Sequence, residues 1–400
     1  MNILFLCHRF PFPPKEGGKI RAFNMIRHLS ASHRVTVCSL ARSEAEAEEG
    51  RGIAPYCERY EMAVVNETAQ KLRMAVRLPT LTPSSMGYFY SPELDRKVQA
   101  LLAGQTWDLI VVFCSSAAQY VVRAQGVPKI LDFCDMDSQK WLEYARYKAF
   151  PLSLGYWLEG TKLVREEKRL ARHFDFCTVA TQAEKETLDS FGTGVETDWF
   201  PIWVDSEYFQ PDGEAYDPDT LSFVGRMDYF PNEECMVDFC ANVLPRVRSV
   251  RPGTKLVIVG AKPTDKVKAL GQLPGVSVTG SVPDVRPFVL RSALMVAPLN
   301  IARGTQNKIL EAMAMGVPVV SSAIAADGVD AVAEENFLVA SSPEGYAKAI
   351  LRILESPEER ARLSQQGRAR MLSAHSPQTA MNRFDGIVER CVNGFQGKAK

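Results

Sequence analysis

The chain contains nine cysteines but no Cys-x-x-Cys pair. Cys7, Cys38, Cys57, Cys114, Cys134, Cys177, Cys235, Cys240 and Cys391 are odd in number and scattered, mostly in apolar runs such as Val35-Thr-Val-Cys38. That pattern fits reduced core residues in the cytoplasm and excludes a disulfide framework. The five histidines do not cluster, and neither His-Glu-x-x-His nor another zinc spacing occurs, so no protein-bound catalytic metal or cofactor is expected. An excess of one charge is missing too. Lys and Arg total 47 against 47 Asp and Glu, split 25 to 24 over residues 1–200 and 22 to 23 over the rest, which argues against a general nucleic-acid binder. Long hydrophobic runs are also lacking. Only Ile3 to Cys7 precede His8 and Arg9 at the start, too short for a signal-peptide core. The longest nearly apolar stretch, Ala312 to Ala326, is broken by Gly316, Pro318, Ser321 and Ser322 and cannot span a bilayer. The expected location is cytoplasmic, with at most peripheral contact with the inner membrane.

What is present is an alternation of short β-branched and aromatic runs with amphipathic helical segments, and it restarts once. The runs are Ile3 to Cys7, Arg34 to Leu40, Glu61 to Val65, Leu109 to Phe113, Lys129 to Phe133 and Phe176 to Ala180, then Leu221 to Val224, Lys255 to Gly260, Val276 to Gly280, Leu294 to Pro298, Val317 to Ser321 and Phe337 to Ala340. Continuously apolar strands followed by helices predict parallel sheets covered on both faces. The fold class is therefore α/β, with two doubly wound parallel-sheet domains: residues 1–203, a polar linker over 204–220, and residues 221–375. A last helix within 376–400 is expected to pack back on the first domain. Sheets of this kind bind ligands beyond the carboxyl ends of their strands, so candidate residues are sought there.

After the first strand, a long loop ends in Gly17-Gly18 at a helix start. Consecutive glycines admit a close ligand approach, and Lys15, Lys19 and Arg21 favour an anion there, although a loop that needs glycine only to turn is the alternative. At the second domain's first strand end, Gly225 precedes Arg226, a guanidinium placed to hold a diphosphate bidentately and offset leaving-group charge. Between Ala297 and Val320 a polar loop with Gly304 and Thr305 leads into a helix near Asn307. Lys308 and the first backbone N–H groups suit phosphate, while Glu311 stands in an otherwise apolar stretch, satisfied by ribose hydroxyls or else by a cap or a core arginine. Asp132, Asp135 and Asp137 include possible acceptor ligands, or caps of the helix near Ser138. Gln70 to Tyr90, with Lys71, Arg73 and Arg77, could rest on an anionic bilayer or be an ordinary surface helix.

The motif Gly304-x-x-x-Lys-x-x-Glu-Ala-Met-Ala-x-Gly-x-Pro-Val-Val, with Gly17-Gly-x-x-Arg21, Val224-Gly-Arg and Pro201-x-x-Val-Asp-x-x-x-Phe, resembles the GT-B glycosyltransferases of the group 1, or family 4, type. The stretches Asp132 to Ala145 and Met227-Asp-Tyr-Phe-Pro-Asn are similar to the sugar transferases of exopolysaccharide and PEP-CTERM sorting loci. The resemblance implies retaining transfer from a nucleotide-diphosphate sugar, held by the second domain, to a glycan or polyprenyl-linked acceptor held by the first. It assigns Glu311 to the ribose, Arg226 to the diphosphate, the backbone at Val282 to the base, and Gly17 and Gly18 to the donor phosphate and acceptor. Three positions depart from the family pattern. Arg303 replaces the first glutamate of Glu-x7-Glu, Pro231 replaces a lysine whose charge Lys308 can supply, and Ser115 and Ser116 stand where a histidine is usual. Two alternatives follow, a catalytically silent GT-B scaffold and a sugar-nucleotide epimerase of the same fold.

Overall fold

The computed structural model describes residues 1–14 and 17–398, and the chain divides into two compact units. The first comprises Met1–Phe200 and the chain from Met381 on; the second comprises Pro201–Ala380. Each is built on one parallel sheet.

In the first unit the strands are β1 (Asn2–Cys7), β2 (Arg34–Ala41), β3 (Arg59–Val64), β4 (Leu109–Phe113), β5 (Lys129–Cys134), β6 (Phe176–Val179) and β7 (Glu196–Trp199). They lie in the order β3-β2-β1-β4-β5-β6-β7, every pair parallel. The apolar run of β4 is buried at all five positions because helices cover both faces of the sheet. The chain winds outward from β1 through β2 to β3, then returns to β4 and continues the other way. The strand order reverses between β1 and β4, and a crevice opens at their carboxyl ends.

The second unit contains β8 (Asp217–Val224), β9 (Lys255–Val259), β10 (Val276–Val278), β11 (Ser292–Ala297), β12 (Val319–Ser322) and β13 (Leu338–Ala340), in the order β10-β9-β8-β11-β12-β13. All its pairs are parallel as well, and the reversal falls between β8 and β11. The helical stretch after β8 runs Phe230–Asp238, passes through one wide π turn at Phe239–Val243, and resumes at Leu244–Val250.

The polar stretch 204–220 belongs to the second unit, and its last residues already form β8. Arg291 holds Asp212 at 2.8 Å, Arg286 stacks on Tyr208 at 3.7 Å, and Arg360 stacks on Tyr216 at 3.4 Å. Its Pro and Gly break secondary structure without freeing the chain. The last helix, Pro377–Lys398, packs on the first unit: Phe384 lies 5.0 Å from Phe200, Arg383 bonds Asp198 at 2.8 Å, and Asp385 meets His28 at 2.7 Å.

Candidate functional site

At the reversal in the second unit, β8 and β11 deliver two loops to one rim. β8 is followed by Gly225 and Arg226. Glycine is needed at 225 because a Cβ would stand 2.6 Å from the amide nitrogen of Asn232. That close approach lets the Asn232 amide bridge the rim: its Nδ2 donates to Arg226 O at 2.8 Å, and its Oδ1 accepts from Lys308 Nζ at 2.8 Å. Arg226 itself is exposed and pairs with Asp228 through two bonds of 2.8 and 3.1 Å.

The β11 loop turns at Gly304, where φ is +60° and an L side chain would be strained. The helix Asn307–Ala314 follows, with Gln306 at its N-cap making no side-chain cap. Its free N–H groups and positive dipole end face the same rim. Two buried polar atoms there, Thr305 Oγ1 and Asn307 Oδ1, have no hydrogen-bond partner in the protein. Such atoms are costly unless a ligand or water meets them.

Lys308 and Glu311, one helical turn apart, are neighbours on this short helix. Burial pushes the Lys308 ammonium down to about 8 and the Glu311 carboxyl up to about 7, with their mutual attraction opposing both shifts. The Lys308 ammonium also sits 4.3 Å over the Phe223 ring. Among the described residues no arginine pairs with Glu311, so the core-arginine alternative is not what they contain; the charged neighbour acting on Glu311 is Lys308. Val282 lies in the loop beyond β10, two strands from β8 on the same carboxyl rim. Arg303 is exposed.

The first unit carries a cavity of about 560 Å³ at its own reversal, lined by His8 and Arg9 after β1 and by Cys114, Ser115 and Ser116 after β4. Cys114 and Cys134, at the ends of adjacent strands, both have positive φ, 72° and 63°. Left-handed backbone in non-glycine residues stores strain and gathers at functional sites. The His8 ring is wedged between Phe89 and Phe113, its Nδ1 lacks a partner, and burial holds it neutral, down to about 3. Burial, reinforced by Asp137, raises the Asp135 carboxyl to about 6, and its Oδ1 is unpartnered.

Arg21 and Asp132 do not present themselves to a ligand. Both are buried, and Arg21 Nε donates to Asp132 Oδ2 at 2.8 Å while its guanidinium lies 3.6 Å over the Phe200 ring. Lys19 is likewise engaged by Glu46. Gly17 and Gly18 open the helix Gly17–Ser30, with Gly18 exposed; Lys15 lies outside the described residues. The helix Asp137–Tyr147 is not capped by Asp132, Asp135 or Asp137. Two distant glutamates accept from its first N–H groups instead, Glu184 from Met136 and Glu167 from Ser138, each at 2.9 Å. Sequence reasoning also missed Asn232 and His8. The signal for His8 was its position immediately beyond a strand end, whereas Asn232 lies in the Phe230–Asp238 helix and its signal was the Met227-Asp-Tyr-Phe-Pro-Asn stretch. Among the described residues, no group of three or more His, Cys, Asp or Glu side chains converges as a metal site.

Comparison with known proteins agrees with this architecture. Residues 218–356, from β8 to the end of the Pro343–Glu355 helix, match the family described as glycosyl transferases group 1. No curated protein matches the chain. Among solved structures, a sucrose-phosphate synthase from Thermosynechococcus elongatus is similar at 17% identity and TM-score 0.71, covering 98% of this chain and 100% of its own. Anabaena HepE in complex with UDP is similar at 14% identity and TM-score 0.69, covering 97% and 100%. TarM, of S. aureus, is similar at 10% identity and TM-score 0.70, covering 96% and 98%. The chain has the GT-B fold, two Rossmann-like α/β domains.

Proposed function

We propose that the protein is a glycosyltransferase that moves a sugar from a nucleotide-diphosphate donor, bound by the second unit, to a glycan or lipid-linked acceptor bound by the first, in polysaccharide biosynthesis. The observation that carries this reading is the rim of the Asn307–Ala314 helix. It collects an ammonium and a carboxylate that burial holds close to neutral pH, together with the unpartnered Thr305 Oγ1 and Asn307 Oδ1. A nucleoside diphosphate supplies what these groups lack: vicinal ribose hydroxyls for Glu311 and phosphate oxygens for Thr305, Lys308 and the helix N–H groups. The match of residues 218–356 and the UDP bound by HepE support the same ligand class.

In this reading the backbone at Val282 meets the base, Arg226 exchanges its Asp228 partner for the diphosphate, and Gly304 lets the loop close on it. The acceptor oxygen forms its bond to the anomeric carbon on the face from which the diphosphate departs, so configuration is retained. The acceptor's proton passes to the diphosphate oxygen as the carbon–oxygen bond breaks. Arg226, Lys308 and the helix end stabilise the charge on the departing group without a protein-bound metal. Gly17, Gly18 and Asp135 belong to the acceptor side.

The test is calorimetric binding of UDP and UDP-sugars. Charge-assisted bonds contribute about 1.5 to 3 kcal/mol each, so Glu311→Gln should weaken binding about 10 to 100-fold with no fall in the melting midpoint of the free protein. Equal affinity of the wild type for UDP and its 2′,3′-dideoxy analogue would refute the ribose role. Exposed Arg303, in place of a donor-sugar carboxylate, favours the silent-scaffold alternative. Product analysis separates the readings: binding without turnover marks the scaffold, and a new sugar nucleotide formed without acceptor marks the epimerase.

A further inference from the structure

Nineteen large hydrophobic side chains stand exposed among the described residues, and eleven of them fall in two short stretches, 72–81 and 147–158. The two stretches are neighbours in space. The backbone N–H groups of Ser84 and Ser85 donate to the buried Glu159 carboxylate at 2.9 and 2.8 Å, and Lys162 Nζ donates to Leu78 O at 2.7 Å. The helix Glu67–Arg77 and the loop after it are thereby docked on the helix Leu152–Ala171. Leu81 and Phe150 are 80% exposed and Trp157 52%, so these side chains form an apolar face that none of the described residues covers. A patch of this kind marks an interaction site.

Two further features say what covers it. First, the charge is one-sided. Residues 67–90 and 137–163 carry seven Lys or Arg and four Asp or Glu in a chain whose net charge is zero. Two of these acids pair with two of these bases, Glu67 with Lys71 and Asp137 with Lys140, and Glu159 accepts from the Ser84 and Ser85 amides, so the two stretches keep a net charge of +3, seven minus four. Apolar side chains among long basic ones match the boundary between acyl chains and anionic headgroups. Second, the cavity of the first unit opens in this face. Its walls pass from the exposed Met74, Leu78 and Leu152 to Trp141 and then to the polar Ser115 and Ser116 beside His8. A second copy seated on the face would close that entrance, whereas a bilayer feeds it. No helix among the described residues is long and apolar enough to cross a membrane, so the contact is a seat on the surface.

We infer that the apolar faces of the Glu67–Arg77 and Leu152–Ala171 helices seat on an anionic lipid surface, and that the cavity behind them takes an amphiphilic acceptor from it, one with an apolar chain and an anionic head. This decides between the glycan and lipid-linked acceptors left open above and rests on the acceptor side of that reading. The chain lies along Met74, Leu78 and Leu152, and the head reaches Ser115, Ser116, Arg9 and Lys140 at the strand ends.

The test uses the full chain without sugar nucleotide, so failure of the donor reading would show in UDP binding and leave these measurements intact. In flotation, the wild type should rise with phosphatidylglycerol–phosphatidylcholine vesicles and far less with phosphatidylcholine alone. The double variant Leu81→Glu, Trp157→Glu should bind at least about ten-fold more weakly, with its UDP affinity and melting unchanged. For the cavity, farnesyl phosphate should bind by calorimetry while inorganic phosphate does not. Gly155→Phe, whose side chain enters open space at the mouth, should weaken that binding by at least about ten-fold. No flotation, flotation unchanged in the double variant, a dimer that the double variant dissociates, or free phosphate binding as well as farnesyl phosphate would each overturn the inference.

Discussion

Arg21 Nε lies 2.8 Å from Asp132 Oδ2 across 111 residues of sequence, with both side chains sealed from solvent. Arg21 also donates to Phe200 O, and Thr178 donates to Asp132 Oδ1 at 3.1 Å, so the pair ties β5, β6 and the chain beyond β7 to the first helix. Removing one partner from such a pair leaves a buried charge alone. Arg21→Met should therefore cost about 3 to 5 kcal/mol in urea unfolding. Pairing it with Asp132→Leu should recover much of that loss. A single substitution costing under about 1 kcal/mol would show that the pair is not holding the unit together.

Arg226 is the opposite case. Its side chain is 60% exposed and its ion pair with Asp228 is a surface contact of small worth. Arg226→Ala should leave thermal melting in place and lower turnover about 100-fold or more, the order lost with one preorganised donor to a developing charge. Turnover close to wild type would remove it from the leaving-group site.

Asn232 should matter more than its neutrality indicates. Asn232→Ala removes the acceptor that holds the Lys308 ammonium and the link to Arg226 O. UDP affinity should fall about ten-fold, with a smaller effect from Asn232→Asp, which keeps the acceptor for Lys308. Equal losses in the two variants would point to packing alone.

The shifts at Glu311 and Lys308 predict two pH effects. Glu311 titrates higher folded, at about 7, than its ordinary 4.5, so between those values the folded state holds the extra proton. Its contribution to stability is full below 4.5 and is lost as pH rises through 7, by at most about 3 kcal/mol. Lys308 titrates lower folded, at about 8 against 10.5, so the unfolded state holds the extra proton in that window and stability climbs with pH there. Glu311→Gln should abolish the first slope in unfolding measured from pH 4 to 8. UDP affinity, which needs the carboxylate and the ammonium together, should peak between about pH 7 and 8 and fall on either side.

Turnover should persist in excess EDTA, since cationic side chains and backbone N–H groups are proposed to carry the leaving-group charge. Strict dependence on added magnesium would place an ion in that role.

Both sheets were legible in the sequence because their strands are continuous apolar runs, whereas the strand order, and with it the two reversal points, is seen only in the structure. β7 was not, because Glu196-Thr-Asp-Trp199 is a polar edge strand with no apolar run, recognisable only by its pairing with β6. The Gly304 to Glu311 stretch stands out in the sequence as a candidate ligand loop because polar residues there interrupt an apolar segment between two strands. Arg21 was misread for the same reason. A cation at a helix start looks like an anion site until its partner, 111 residues away, is seen. Long-range pairing is the information that local pattern lacks, and it also concealed the caps from Glu167 and Glu184.

The helix Pro377–Lys398 has one consequence for biosynthesis. Phe384 and Ile387 are fully buried, and Phe384 packs on Phe200 of the first unit, although about 180 residues of the second unit intervene in the chain. During translation the first sheet can assemble early, but the hydrophobic surface that Phe384 will cover stays bare until the Pro377–Lys398 helix has been made. The second unit, contiguous in sequence, can close before its older neighbour does. A polypeptide stalled or cut before Pro377 would therefore display its sticky surface on the first unit, where a chaperone would have to wait for that helix.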